Sequence, residues 1–155
     1  MKTLVLGLGN PILSDDAVGI RIARELKKEL TDVDVVEAST AGFRIVDEII
    51  GYDKLIIVDS IKTGKAKPGT LFKFNVSDFK ETLHFSSPHD ISFFDALEIM
   101  KKQNEKLPSQ IDIYALEVKD TNNFSEKCTL EVETAIPIAT REIIEDQRFK
   151  MQCSR

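Results

Sequence analysis

The chain has only two cysteines, Cys128 and Cys153, far apart and without a CxxC spacing. Neither a disulfide framework nor a zinc knuckle is encoded, and both read as free thiols in a reducing compartment. Long hydrophobic runs are missing as well: Asn10 and Asp15 interrupt the apolar stretch that starts at Thr3, short of the roughly 20 residues of a membrane span. The expectation is a soluble, unexported, cytoplasmic protein with no membrane insertion. Positive charge is scarce, with 21 Lys and Arg against 26 Asp and Glu and a net charge of −5. That balance argues against nucleic acid as a partner. Three catalytic signatures are absent: there is no HExxH helix, no Gly-x-Ser-x-Gly elbow, and no complete GxGxxG, because Ile12 stands where the third glycine belongs. No internal repeat or low-complexity segment occurs.

What is present suits one globular domain: 42% hydrophobic and 30% charged residues over 155 positions, enough to bury a core. The domain is read as residues 1–147, with 148–155 a flexible polar tail. Thr3–Leu6, Val33–Val36 and Leu55–Val58 are short β-rich runs that suit the parallel centre of a sheet covered on both faces. Val18, Ile22, Leu26 and Leu30 recur every four residues and predict a helix between the first two. A second helix is expected after Gly42. The ten residues from Ser60 to Gly69 are too few for a parallel crossover, so the strand Thr70–Val76 should run antiparallel to a neighbour. Ser87-Pro88-His89-Asp90 reads as a helix start, with the helix running to about Lys102. Ile111–Val118 is a further strand and Leu130 to about Asp146 the last helix, bent or split by Pro137. The fold class is α/β, a three-layer sandwich of about five mostly parallel strands with helices on both faces and one antiparallel strand.

The segment from Gly7 to Gly19 carries the candidate chemistry. It leaves a strand, turns on glycines and opens a helix with adjacent carboxylates, Asp15 and Asp16. Acids in a first turn are favoured by the helix dipole, and Ser14 is placed to cap, so helix-start duty alone would explain the pair. Asp59 raises the stakes, because a central parallel strand delivers its next side chain into the crevice beyond the strand ends. His89 is the third member: in the first turn of a helix its imidazole is kept neutral and able to ligate. One histidine and two carboxylates at neighbouring loop tips make a three-ligand set suited to nickel or zinc. His84 is read as surface. Glu37, near the end of the second strand, stands where a ribose-binding acid would sit, or is simply solvated.

Several motifs in order resemble the hydrogenase maturation proteases over roughly residues 1 to 100. These are Gly9-Asn10 with Asp15-Asp16, Thr40-Ala41-Gly42, Leu55-Ile56-Ile57-Val58-Asp59-Ser60, and Ser87-Pro88-His89-Asp90 followed by Asp95-Ala96-Leu97. The resemblance implies an endopeptidase that removes the C-terminal peptide of a nickel-iron hydrogenase large-subunit precursor once nickel is inserted. It implies that Asp16, Asp59 and His89 contact the metal and carry catalysis, and that Gly42, flanked by Thr40 and Ala41, takes part in substrate recognition. The nickel would arrive with the substrate, and the free protein would hold a divalent ion such as nickel or zinc at the same site. Two departures stand out: Asp16 replaces a glutamate frequent in relatives, and Glu117–Ser125 replaces a glycine-rich loop, a change expected to tune which hydrogenase is recognised. Two other readings remain open at this stage, a non-catalytic nickel chaperone of hydrogenase assembly and a nucleotide-binding regulatory module built on the glycine turn. The oligomeric state is not encoded legibly.

Overall fold

The computed structural model describes residues 1–39, 43–76 and 93–154. Its elements are β1 (Thr3–Leu8), a 3-10 turn (Ser14–Ala17), α1 (Val18–Glu29), β2 (Val33–Ala38), α2 (Phe43–Ile49), β3 (Lys54–Ile61), β4 (Leu71–Phe74), α3 (Phe93–Lys102), β5 (Gln110–Glu117) and α4 (Leu130–Cys153). The strands form one sheet in the order β2-β1-β3-β5-β4. β1 pairs in parallel with β2 and β3, and β3 with β5. β4 runs antiparallel to β5, as the short connection before it requires.

Alternation along the central strands divides the core in two. Val5, Ile56, Val58, Tyr114 and Leu116 pack under α1 and α4 with Ile22, Leu26, Val132, Ile136 and Ile143. Leu4, Leu6, Leu55, Ile57 and Ile113 pack on the other face with Ile45, Ile49, Ala96 and Leu97 of α2 and α3. Every fully buried Val, Leu or Ile is worth about 1.5–3 kcal/mol, so both layers are needed to offset chain entropy.

Three expectations are corrected. β2 is an edge strand rather than part of the sheet's centre: Asp34 and Glu37 face solvent, and Arg24 grips Glu37 with two bonds of 2.7 and 2.8 Å. Glu37 is thereby occupied as a surface ion-pair partner. The last helix does not end near Asp146 but continues to Cys153, and Pro137 neither splits it nor stops it. Burial of Val132, Ile136, Ala139 and Ile143 along one side outweighs the missing proline amide. The supposed tail is helical because Lys150 Nζ reaches Asp112 Oδ1 at 2.9 Å, beside the buried Lys54, whose Nζ lies 3.4 Å from Asp112 Oδ2. No helix among the described residues is long and apolar enough to cross a membrane.

Candidate active site

Two glycines build the turn after β1. Gly9 has φ +148°, and any Cβ there would overlap the carbonyl of Asp16. Gly19 lies in the first turn of α1, where a Cβ would collide with the carbonyls of both Leu8 and Val58 and would crowd the Cα of Asp59. The close approach that a dinucleotide fingerprint assigns to its third glycine is made here by Gly19, not at position 12. The helix start therefore rests directly on the ends of β1 and β3.

That seating brings Asp16 and Asp59 together at the carboxyl edge of the sheet. Asp16 Oδ2 accepts from the amide of Asn10 at 3.0 Å, and its Oδ1 receives a long 3.5 Å bond from the hydroxyl of Ser60. The Ser60 amide donates to Asp59 Oδ1 at 2.7 Å. Ser60 thus touches both acids, a link that the sequence offered no reason to single out. Asp59 Oδ2 accepts no hydrogen bond among the described residues. Burial pushes the Asp59 carboxyl up to about 7, with the Ser60 amide opposing and the charge of Asp16 adding to the rise. A carboxyl poised near neutrality can give and take a proton, and such groups concentrate at working sites.

Asp15 has a different duty. The expected Ser14 cap is absent: the 3-10 turn has no side-chain cap, and Ser14 is buried with φ +49°. Asp15 is fully buried and faces away from Asp16, into the segment before α4. Its Oδ2 accepts from the amides of Lys119 and Asp120 at 3.0 and 2.9 Å, and its Oδ1 from the amide of Thr129 at 2.6 Å. The Thr129 hydroxyl lies 3.0 and 2.9 Å from the two oxygens. The neighbouring aspartates, alike in sequence, thus divide into a latch and a crevice acid.

The amides of the turn are already spent. Gly9 N donates to Ala38 O at 3.1 Å, Asn10 N to Asp16, Ile12 N to Asn10 Oδ1 at 3.2 Å, and Leu13 N to Asn10 O at 3.2 Å. A phosphate cradle needs such amides free, so the nucleotide reading loses its physical basis. His89 lies outside the described residues, as do Thr40, Ala41, Gly42 and His84. Among the described residues no three metal-binding side chains gather. Cys128 and Cys153 are free thiols, one buried and one exposed.

A doubly wound sheet with two acids beyond its strand ends, one held near neutrality, defines an α/β enzyme with a carboxylate-lined crevice. Comparison with known proteins makes this specific. The hydrogenase maturation protease family model matches residues 20–146, and the chain belongs to that family of peptide-bond hydrolases. The hydrogenase 2 maturation protease of Escherichia coli is 33% identical over 109 residues, which span 68% of this chain and 66% of that protein. Among solved structures, the hydrogenase maturating endopeptidase HybD of E. coli superimposes with a TM-score of 0.80 at 26% identity, covering 97% of this chain and 94% of that one. The [NiFe] hydrogenase maturation protease HybD of Thermococcus kodakarensis gives 0.70 at 25% identity, over 95% and 99%.

Proposed function

We propose that this chain is the endopeptidase that removes the C-terminal peptide of a nickel-iron hydrogenase large-subunit precursor after nickel insertion. Family membership supports the hydrolase; the observation that carries the site is the meeting of Asp16 and Asp59 through Ser60. In this reading nickel is part of the substrate. It is touched by Asp16, Asp59 and His89, and the scissile bond is thereby set in the crevice. The donor chemistry suits such a cation. Among the described residues, Asp16 Oδ1 has only the long serine bond to give up and Asp59 Oδ2 has none. Carboxylate oxygens with one imidazole are an ordinary set for a borderline divalent metal.

Hydrolysis then follows from what these residues do. Asp59 takes a proton from the attacking water and returns it to the leaving amine. Asp16, held in place by the Asn10 amide, orients the loaded precursor. Thr40, Ala41 and Gly42 are assigned to the peptide itself, with glycine allowing close backbone approach.

The test is a gel assay with nickel-loaded precursor. The wild-type protein should shorten it, whereas Asp16→Ala and Asp59→Ala should leave it intact while keeping a native circular dichroism spectrum. Retained cleavage by both variants would sink the site. A precursor that is bound but never shortened by the wild type would point to the nickel chaperone instead.

A further inference from the structure

An apolar pad rises beside Asp16 that the acid chemistry leaves unused. Leu13 and Ser125 form an isolated parallel bridge, in which Ser125 N donates to Ile12 O and Ser14 N to Ser125 O, each at 2.9 Å. Side chains alternate along paired segments. Leu13 and Ser125 are half-buried, whereas their predecessors Ile12 and Phe124 are 49% and 83% exposed. Both positions are braced. Asn10 Oδ1 holds the Ile12 amide, and the Asp120 carboxylate accepts from the amides of Asn122 and Asn123 at 3.1 Å and from Asn123 Nδ2 at 2.7 Å. A phenylalanine kept in water on a braced loop contributes nothing to this core; at interfaces such residues are the anchors.

A basic border adjoins the pad. Residues 62–67 carry Lys62, Lys65 and Lys67 without an acid, on a chain of net charge −5. All three lysines are exposed, and among the described residues none has an ion-pair partner. The segment is sewn to the start of the Phe124 loop: Thr63 donates through its amide to Glu117 Oε2 at 2.8 Å and through its hydroxyl to Oε1, and Val118 N donates to Ile61 O at 2.9 Å. Asp120 is held below the usual carboxylate range by the Asn123 side chain, by the amides of Asn122 and Asn123, and by the charge of Lys62.

We infer that Ile12 and Phe124 receive an apolar side chain of the substrate protein and that Lys62, Lys65 and Lys67 receive carboxylates flanking it. The inference rests on the protease reading and names the chemistry of the surface that the protease grips. Ile12 lies two residues beyond Asn10, whose amide holds Asp16, so the pad and this acid share one loop. Exposed cations on an acidic molecule select an acidic patch.

The test is steady-state processing of nickel-loaded precursor by Phe124→Ser, by Lys62→Glu/Lys65→Glu/Lys67→Glu, and by Phe149→Ser, another exposed aromatic, on the far end of α4. Removing an aromatic anchor should raise KM by about tenfold or more, with the loss falling on KM and not on kcat. The triple variant should raise KM and flatten its salt dependence, and Phe149→Ser should match wild type. KM unchanged in Phe124→Ser, or raised equally in Phe149→Ser, overturns the inference. A wild-type protein that binds precursor without cutting it, while Phe124→Ser releases it, refutes the endopeptidase and keeps the pad. No binding by the wild type overturns both. A concentration-dependent dimer that Phe124→Ser abolishes assigns the pad to a second copy of this chain and overturns the substrate assignment.

Discussion

Replacing Asp15 by asparagine preserves shape and exchanges one acceptor oxygen for an amide nitrogen. The wild-type oxygens take three main-chain amides and the Thr129 hydroxyl. If the remaining oxygen stays with Thr129, the new nitrogen faces the amides of Lys119 and Asp120, donor against donor. Each hydrogen bond to a charged group is worth about 1.5–3 kcal/mol, so two lost bonds amount to about 3–6 kcal/mol. Water entering the loop would recover part of that, leaving an expected loss of about 3–4 kcal/mol, against a total stability of about 5–15 kcal/mol for a domain. In urea, with a slope of about 2 kcal/mol per molar, the midpoint should fall by about 1.5–2 M. Asp16→Asn is the control, since Asp16 is half-buried and holds one amide and a long serine bond. It should cost about 1 kcal/mol or less. Equal midpoints for the two variants, or Asp15→Asn at the wild-type midpoint, would refute the latch.

Gly19→Ala should lift α1 from the ends of β1 and β3, since its Cβ meets main-chain carbonyls that have nowhere to go. An overpacking cost of about 3 kcal/mol is expected, read as a lowered Tm together with impaired processing. Asp112 contributes to the acid limb of stability. Burial raises its carboxyl, but bonds from Gln147 and Lys150 and the nearby Lys54 outweigh that and hold it below the usual range. A depressed folded value means a contribution present above the unfolded pKa, near 3.8, and lost as pH falls through the folded one. Asp112→Asn should therefore flatten the stability profile below about pH 4. At pH 7 it should cost about 3–5 kcal/mol, because the buried Lys54 loses its partner, and urea midpoints at pH 3 and 7 would check both.

The parts of this fold that were legible are those fixed by burial on both sides. β1 and β3 read as apolar runs over Leu4–Leu6 and Leu55–Val58 because helices cover both of their faces. β2 is harder to place, because Asp34 and Glu37 mark an edge while the valines between them give the local pattern of a covered strand. The meeting of Asp16 and Asp59 was foreseeable because strand ends in a parallel sheet point to the crevice. The duty of Asp15 was not, since its donors lie 104 to 114 residues away and are main-chain groups that leave no mark on the side-chain pattern. The same holds for the last turns of α4, whose order comes from Asp112 across the sheet.

The latch also sets an order of events during synthesis. A ribosome adds about 5–20 residues per second, so the turn bearing Asp16 emerges several seconds before Lys119, Asp120 and Thr129 exist to hold it. Until then the Asp15 carboxylate has only water for company. In an unfinished chain the turn that carries Asp16 therefore lacks its anchor, which is complete only when the C-terminal quarter of the molecule folds back onto its beginning.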